Sequence, residues 1–398
     1  MSYVKAKAIK VVLTKKSQHF PIVLWDKAGE KPFRDVLDGN GPIVVHDIDT
    51  KRYLHLKYLP LSLLYLSQAL FSRKNNGSIF VRRHMTTLQG VVRVLGQCLN
   101  ISMALSYRPK IILTYSDDSR TTQLMDAILH RHVTVITVQN GRRWHDKSLL
   151  NDPINASSYI EPGFHSCFAA LSQQEADSHL EAQWLIDEMY IIGSINAAVT
   201  LRNTSITRYL FDICIIENSE VGLSRKSNRE MVTLINSYVK KNKHLRVCVA
   251  LKRNYLHPGY NEYYKSVRQL YDDKIELVPR NINGSSLATT LSSHVTIGVL
   301  STLLIETFGM GGKIYPLNFE HDAYDSAYSC LNLNMRPTSV EFDTFLDELL
   351  ALMPSVYLLA NAEAMKYIGA ISSSLCPETR LRQLVKCKLE AVEQQTQS

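Results

Sequence analysis

"HVTIGVLSTLLIETFGMGGKIYPLNF", residues His294 to Phe319, reads as a strand, a helix and a second strand in one short run. The β-branched segment His294 to Val299 suits a strand covered on both faces, where every side chain meets an apolar neighbour. Ser301 and Thr302 follow and can cap a helix from Leu303 to Met310. Gly309, Gly311 and Gly312 then permit a sharp exit into "KIYPLNF". A strand that returns through a helix to another strand is the building unit of a parallel sheet.

The same alternation extends both ways along the chain. Upstream of this run lie "LFDICIIENS", "LRVCVALKRN" and "KIELVPRN"; its own end, "KIYPLNFE", closes the series. An earlier series comprises "GPIVVHDI", "GSIFVRR", "PKIILTYSDD" and "VTVITVQNG", separated by helical patterns such as Leu88 to Leu105 and Thr121 to Arg131, and ends with "MYIIGSINA". "VTLRNTSITR", Val199 to Arg208, reads as a polar linker between the two series. The expected fold is α/β: two doubly wound units, residues 1–200 and 201–398. C-terminal helices are expected over Glu341 to Gln394, the last starting near Pro377 and able to pack back on the first unit. The Gln/Ser-rich end is expected to fray.

With 398 residues, 45% of them hydrophobic and 21% charged, the chain can fill two cores and is unlike a disordered one. Its net charge of +8 favours an anionic partner: nucleic acid, a membrane surface, or a phosphorylated or carboxylated small molecule. Seven scattered cysteines, with no CxxC pair and no zinc spacing, fit a reducing cytoplasm and no structural metal. No apolar signal segment opens the chain, and "YLPLSLLYLSQALF" is too short to cross a bilayer. A cytoplasmic protein, free or resting on a membrane surface, is the expectation.

In doubly wound sheets ligands bind beyond the carboxyl ends of the strands, so residues there come first. "CVALKRNYLHPGYNEYYK" puts Lys252, Arg253 and His257 just past a strand, a set suited to phosphate oxygens or to a solvated basic loop. Ser301 and Thr302 at a helix N-terminus form an anion site, and Glu306 one turn on can accept hydrogen bonds from a ribose or stand exposed beside a cap. Asp117 and Asp118 suit a general base, a metal site or an N-cap pair; no further acidic cluster supports the metal. Glu161 beside Pro162-Gly163, and Glu220 in "CIIENSEVG", are further candidate acids. Gln139, Asn140 and Arg142 end the strand of "VTVITVQNGRRW", where an ordinary strand-to-helix turn is the simple account.

The segments "VLWDKAGEKPFRDVL", "PKIILTYSDD", "VTVITVQNGRR", "YIIGSINA" and "VLSTLLIETFGMGGKIYPLNF" resemble, in this order over residues 20 to 320, bacterial surface-carbohydrate biosynthesis proteins, glycosyltransferases of GT-B fold. "KR…HP" ahead of the Ser/Thr helix is also similar to the nucleotide site of CMP-Kdo and CMP-sialic acid transferases, with His257-Pro258 and Ser301-Thr302 at the matching motifs. Their acidic-acidic-glycine motif has no clean copy here. The resemblance implies two Rossmann-type domains facing a cleft, a donor nucleotide on residues 201–398, and an acceptor entering from residues 1–200. That acceptor would be a surface glycan of lipopolysaccharide or capsule type, free or lipid-linked. The implied donor is a CMP-activated ulosonic or nonulosonic acid, or a UDP-sugar in the same fold, with no cofactor or metal. Asp118, Glu161, Asp117 or Glu220 would deprotonate the acceptor in an inverting reaction or attack the anomeric carbon in a retaining one, and Gln139, Asn140 and Arg142 would meet the acceptor or the donor carboxylate. A non-catalytic nucleotide or nucleic-acid binder is the rival class, disfavoured because no nucleic-acid module or Lys/Arg groove with interleaved aromatics is found.

Overall fold

The computed structural model describes residues 10–11, 21–25, 30–37, 43–45, 53–54, 58–71, 76–115, 117, 119–141, 162–202, 209–218, 225–280, 286–299, 301–320, 322–331, 333–369 and 376–397. The strands, in chain order, are β1 (Lys10–Val11), β2 (Ile22–Leu24), β3 (Ile43–Val45), β4 (Tyr53–Leu54), β5 (Ile111–Thr114), β6 (Thr134–Val138), β7 (Phe164–Ala170) and β8 (Leu185–Ile191). Those of the second half are β9 (Phe211–Ile216), β10 (Val247–Ala250), β11 (Glu276–Val278), β12 (Ser293–Val299) and β13 (Lys313–Leu317). Six strands form one all-parallel sheet in the order β3-β2-β5-β6-β7-β8, and five form another in the order β11-β10-β9-β12-β13. β1 and β4 make a separate parallel pair.

Helices of the first half are α1 (Glu30–Leu37), α2 (Leu59–Phe71), α3 (Asn76–His84), α4 (Leu88–Leu105), α5 (Arg120–Leu129), α6 (Gln173–Glu181) and α7 (Ile195–Arg202). The second half adds α8 (Arg225–Lys241), α9 (Tyr260–Arg268), α10 (Leu287–Leu291), α11 (Thr302–Gly309), α12 (Ser339–Ala351), α13 (Pro354–Ala360), α14 (Ala362–Ile368) and α15 (Pro377–Gln397), with a 3-10 helix over Asp322–Leu331. The first sheet is covered on one face by α2 to α5, through Leu66, Phe80, Val94, Ile101 and Met125. Its other face carries Ile22, Leu24, Ile111, Leu113 and Ile136, packed against Phe33 of α1 and Val199 of α7. The second sheet and its helices share a separate core of Ile213, Val249, Ile297, Leu304, Phe308, Ile314 and Phe342. Each fully buried side chain of this kind contributes about 1.5–3 kcal/mol.

The chain then returns to its beginning. Leu381, Leu384 and Val385 of α15 are buried in the same cluster as Ile22, Phe33, Ile111 and Leu113, on the outer face of the first sheet. Arg382 Nε donates to the Val36 carbonyl at 3.0 Å, and Lys388 Nζ donates to Glu188 Oε1 at 2.6 Å. α15 continues to Gln397, so the Gln-rich end, expected to fray, is helical up to that residue.

Two segments differ from the sequence expectation. "GSIFVRR" is part of helix α3, not a strand: Gly77, Ser78, Phe80 and Val81 are buried at helical spacing, and α3 packs on α5 and β7. The start of "VTLRNTSITR" is the end of α7, whose Ala197 packs against Leu287 and Leu291 of α10; residues 203–208 lie outside the described residues.

Candidate functional site

The order β11-β10-β9-β12-β13 is 3-2-1-4-5 in chain sequence, so the direction of winding reverses between β9 and β12. Crossovers leave such a point towards opposite faces and open a crevice at the carboxyl ends of the two strands. Gly298 beside it packs closely: a Cβ there would stand 3.2 Å from Ile216 Cβ and 3.3 Å from Leu304 Cδ1, tight contacts that those side chains would have to relieve. Beyond β9 the Asn218 side chain donates to the Val299 carbonyl at 3.3 Å, tying the two strand ends together.

Ser301 has an extended backbone and its Oγ accepts from the Leu303 N–H at 3.2 Å, the expected N-cap of α11. Thr302 is the first residue of that helix and, like Ser301, is half-buried. The helix N-terminus therefore lies at the crevice with its partial positive charge.

On the far side of β9, Lys252 and Arg253 leave the end of β10. β10 and β12 both pair with β9, so the two strand ends are about 10 Å apart, two strand spacings. Lys252 is exposed; its backbone N–H donates to the Tyr263 hydroxyl at 2.9 Å. That hydroxyl donates in turn to Glu217 Oε2 at 2.5 Å, and Glu217 is buried at the end of β9. The Arg253 guanidinium lies over the Tyr263 ring, 5.1 Å from its centroid. A buried tyrosine on α9 thus fixes the loop that carries both cations. His257 is exposed in the next turn, its Nδ1 2.5 Å from the Pro258 carbonyl.

Glu306 is half-buried and accepts from Ser194 Oγ at 2.6 Å, a hydrogen bond from the residue preceding α7 to the middle of α11. Burial raises its carboxyl above the ordinary range, while Ser194 and the charge of Arg280 act in the opposite direction. An exposed acid beside a cap is therefore not what is found; the carboxylate sits where helices of the two sheets meet.

In the first domain, Asp117 is fully buried in the turn after β5, and its carbonyl accepts from Gln123 Nε2 at 3.0 Å. Gln139 is also buried. Its Nε2 donates to Glu175 Oε2 at 2.6 Å and to the Gly141 carbonyl at 2.9 Å, and its Oε1 accepts from the Leu171 N–H at 3.0 Å. It fastens the end of β6 to the turn between β7 and α6. Asn140, next in sequence, is exposed. Asp118, Glu161, Glu220 and Arg142 lie outside the described residues. Among the described residues no group of three His, Cys, Asp or Glu is placed to hold a metal ion.

The sequence reading missed one concavity altogether. A cavity of about 180 Å3 is lined by Phe80, Arg83 and His84 of α3, Gly90 and Arg93 of α4, and Arg120 at the start of α5. Burial lowers the His84 pKa, the hydrogen bond to the Phe80 carbonyl opposes this, and the charges of Arg120, Arg93 and Arg83 lower it further. Gly90 is required here, since a Cβ would stand 1.7 Å from the His84 carbonyl oxygen.

No family model matches the sequence, and no curated protein matches it. Solved structures do. UDP-GlcNAc 2-epimerase from Neisseria meningitidis, bound to UDP-GlcNAc, superposes with a TM-score of 0.51 at 12% identity, over 92% of this chain and 99% of that one. MnaA from S. aureus with UDP gives 0.50 at 11%, over 96% and 97%. UDP-N-acetylglucosamine 2-epimerase from Rickettsia bellii gives 0.50 at 12%, over 96% and 98%. At these identities the likeness is one of fold: two parallel-sheet α/β domains in the GT-B arrangement.

Proposed function

We propose that the protein is a nucleotide-sugar enzyme, a glycosyltransferase whose donor nucleotide binds at the β9/β12 crevice of the second domain. The observation that carries this reading is the convergence on one sheet edge of the Ser301-capped helix N-terminus and the Lys252-Arg253 loop. The N–H groups of α11 and the two cations suit the phosphates of a departing nucleotide, because they meet negative charge where it develops. His257 adds a donor from the same loop, and Thr302 and Glu306 suit the phosphate and ribose hydroxyls.

A uridine nucleotide is the first choice of donor, supported by the names of the similar structures, two of which were solved with UDP-GlcNAc or UDP. A CMP-linked ulosonic acid is the second, and it rests on the sequence resemblance alone. The acceptor glycan enters from the first domain, where Asp118 or Glu161 takes the acceptor proton and Asn140 and Arg142 hold the acceptor; Asp117 and Gln139 are given to the fold. Epimerisation of a UDP-sugar without transfer is a separate reading, favoured by the same names.

Calorimetric titration with UDP, CMP and GDP orders the nucleotides. Incubation with UDP- and CMP-sugars, with and without lipid-linked acceptors, read by mass spectrometry and NMR, separates transfer from epimerisation. Saturable UDP binding lost in Lys252→Ala supports the reading; no nucleotide binding at all would end it.

A further inference from the structure

Residues 50–116 contain ten Lys or Arg and not one Asp or Glu. The rest of the chain carries 35 basic residues against 37 acidic ones, so the whole positive balance of the protein belongs to this stretch. Its helices are α2, α3 and α4, which pack on one another.

These helices also expose aliphatic surface in a pattern. On α4, Leu88 (82% exposed), Val92, Leu95 and Leu99 follow at intervals of four, three and four residues, one continuous stripe. On α2, Leu63, Leu64 and Phe71 (82%) are exposed, and on α3, Ile79. Arg82, Arg83 and Arg93 are exposed on the same helices, and Arg83 and Arg93 line the cavity with Arg120. Among the described residues α4 is the one helix long and apolar enough to span a bilayer, yet half of it is buried in the domain. A helix held that way can meet a bilayer along its side but not cross it.

We propose that the α2-α3-α4 face docks on a bilayer of anionic phospholipid, with the aliphatic stripe in the interface and the arginine cavity receiving a lipid phosphate. Apolar side chains at helical spacing with flanking arginines are the combination such a surface recognises. A second copy of the chain does not suit this face, because two acid-free surfaces would meet. Nucleic acid suits it less, because the exposed apolar groups are aliphatic apart from Phe71 and offer no series of stacking aromatics.

The test uses the full chain and sedimentation with vesicles of phosphatidylcholine, alone or with about one third phosphatidylglycerol. Binding is expected only to the anionic vesicles and is expected to weaken in high salt. The triple variant Leu88→Ser, Val92→Ser, Leu95→Ser should lose about tenfold in affinity, as should Arg83→Gln with Arg93→Gln. Thermal melts verify that both variants fold, and UDP titration verifies that the second domain is intact. Absence of vesicle binding, equal binding to neutral vesicles, binding untouched by the stripe variant, or a dimer in ultracentrifugation that this variant dissolves would each overturn the proposal.

Discussion

The Tyr263 hydroxyl donates to the buried Glu217 carboxylate at 2.5 Å while accepting from the Lys252 backbone N–H at 2.9 Å. One side chain thereby joins the ends of β9 and β10 and sets the position of the cationic loop. Tyr263→Phe should cost about 1–3 kcal/mol, the range for removing one partner of a buried hydrogen bond. It should also weaken nucleotide binding. Urea unfolding and calorimetry give both quantities.

Ser301→Ala removes the N-cap of α11 and should cost about 1 kcal/mol of stability. Because the same hydroxyl lies at the crevice, UDP affinity should fall beyond what the stability loss explains. Ser301→Thr retains a capping oxygen and should restore much of both. Thermal melts beside UDP titrations of the two variants check this.

Glu306→Gln keeps an acceptor for Ser194 Oγ, while Glu306→Ala removes it. If the carboxylate receives ribose hydroxyls, the glutamine variant should bind UDP about tenfold more weakly with little change in melting temperature. The alanine variant should lose stability as well. Equal UDP binding by wild type and glutamine variant would remove Glu306 from the nucleotide site.

Two adjacent elements in the first domain titrate in opposite senses. Asp126 on α5 accepts from Ser166 N and Oγ, at 2.9 and 2.6 Å, and burial pushes its carboxyl up to about 8. His165 is fully buried, stacked on Phe168 and Trp184, and burial pushes its pKa down to about 3. The Asp126 contribution is present below its unfolded pKa and is lost as pH rises through the folded one. The His165 contribution is present above its unfolded pKa and is lost as pH falls. Above the unfolded histidine pKa only Asp126 of the two changes, so stability should fall by at most about 1.4 kcal/mol per pH unit towards pH 8. Asp126→Asn should flatten that limb in urea unfolding measured across the range.

Gly90→Ala places a methyl group against the His84 carbonyl and should cost about 1–3 kcal/mol or more, the scale of overpacking a filled site. Gly96, exposed on the same helix with open space around it, should accept alanine with a small gain in stability. Paired thermal melts separate the two.

The central strands of the second sheet, β9, β10 and β12, were legible because each is a run rich in Val or Ile and buried on both faces, as Cys214, Val249 and Ile297 show. "GSIFVRR" was not, since a short apolar run has no period long enough to separate strand from helix; what decides it is the packing of α3 against α5. The cap at Ser301 could be read from its spacing. The internal role of Gln139 could not, because its partners, Leu171 in the turn after β7 and Glu175 in the first turn of α6, are more than thirty residues away. The arginine cavity collects residues from three helices, and the signal that would have pointed to it is the lack of acids over residues 50–116.

Helix α15 has a consequence for synthesis. The residues that seal this face of the first sheet, Leu381, Leu384 and Val385, leave the ribosome about 190 residues after Ile191, where the last strand of that sheet ends. The N-terminal domain therefore waits, with Ile22, Ile111 and Leu113 covered by α1 and α7 alone, while the whole second sheet is made, and a chain stopped before α15 is left with an adhesive surface.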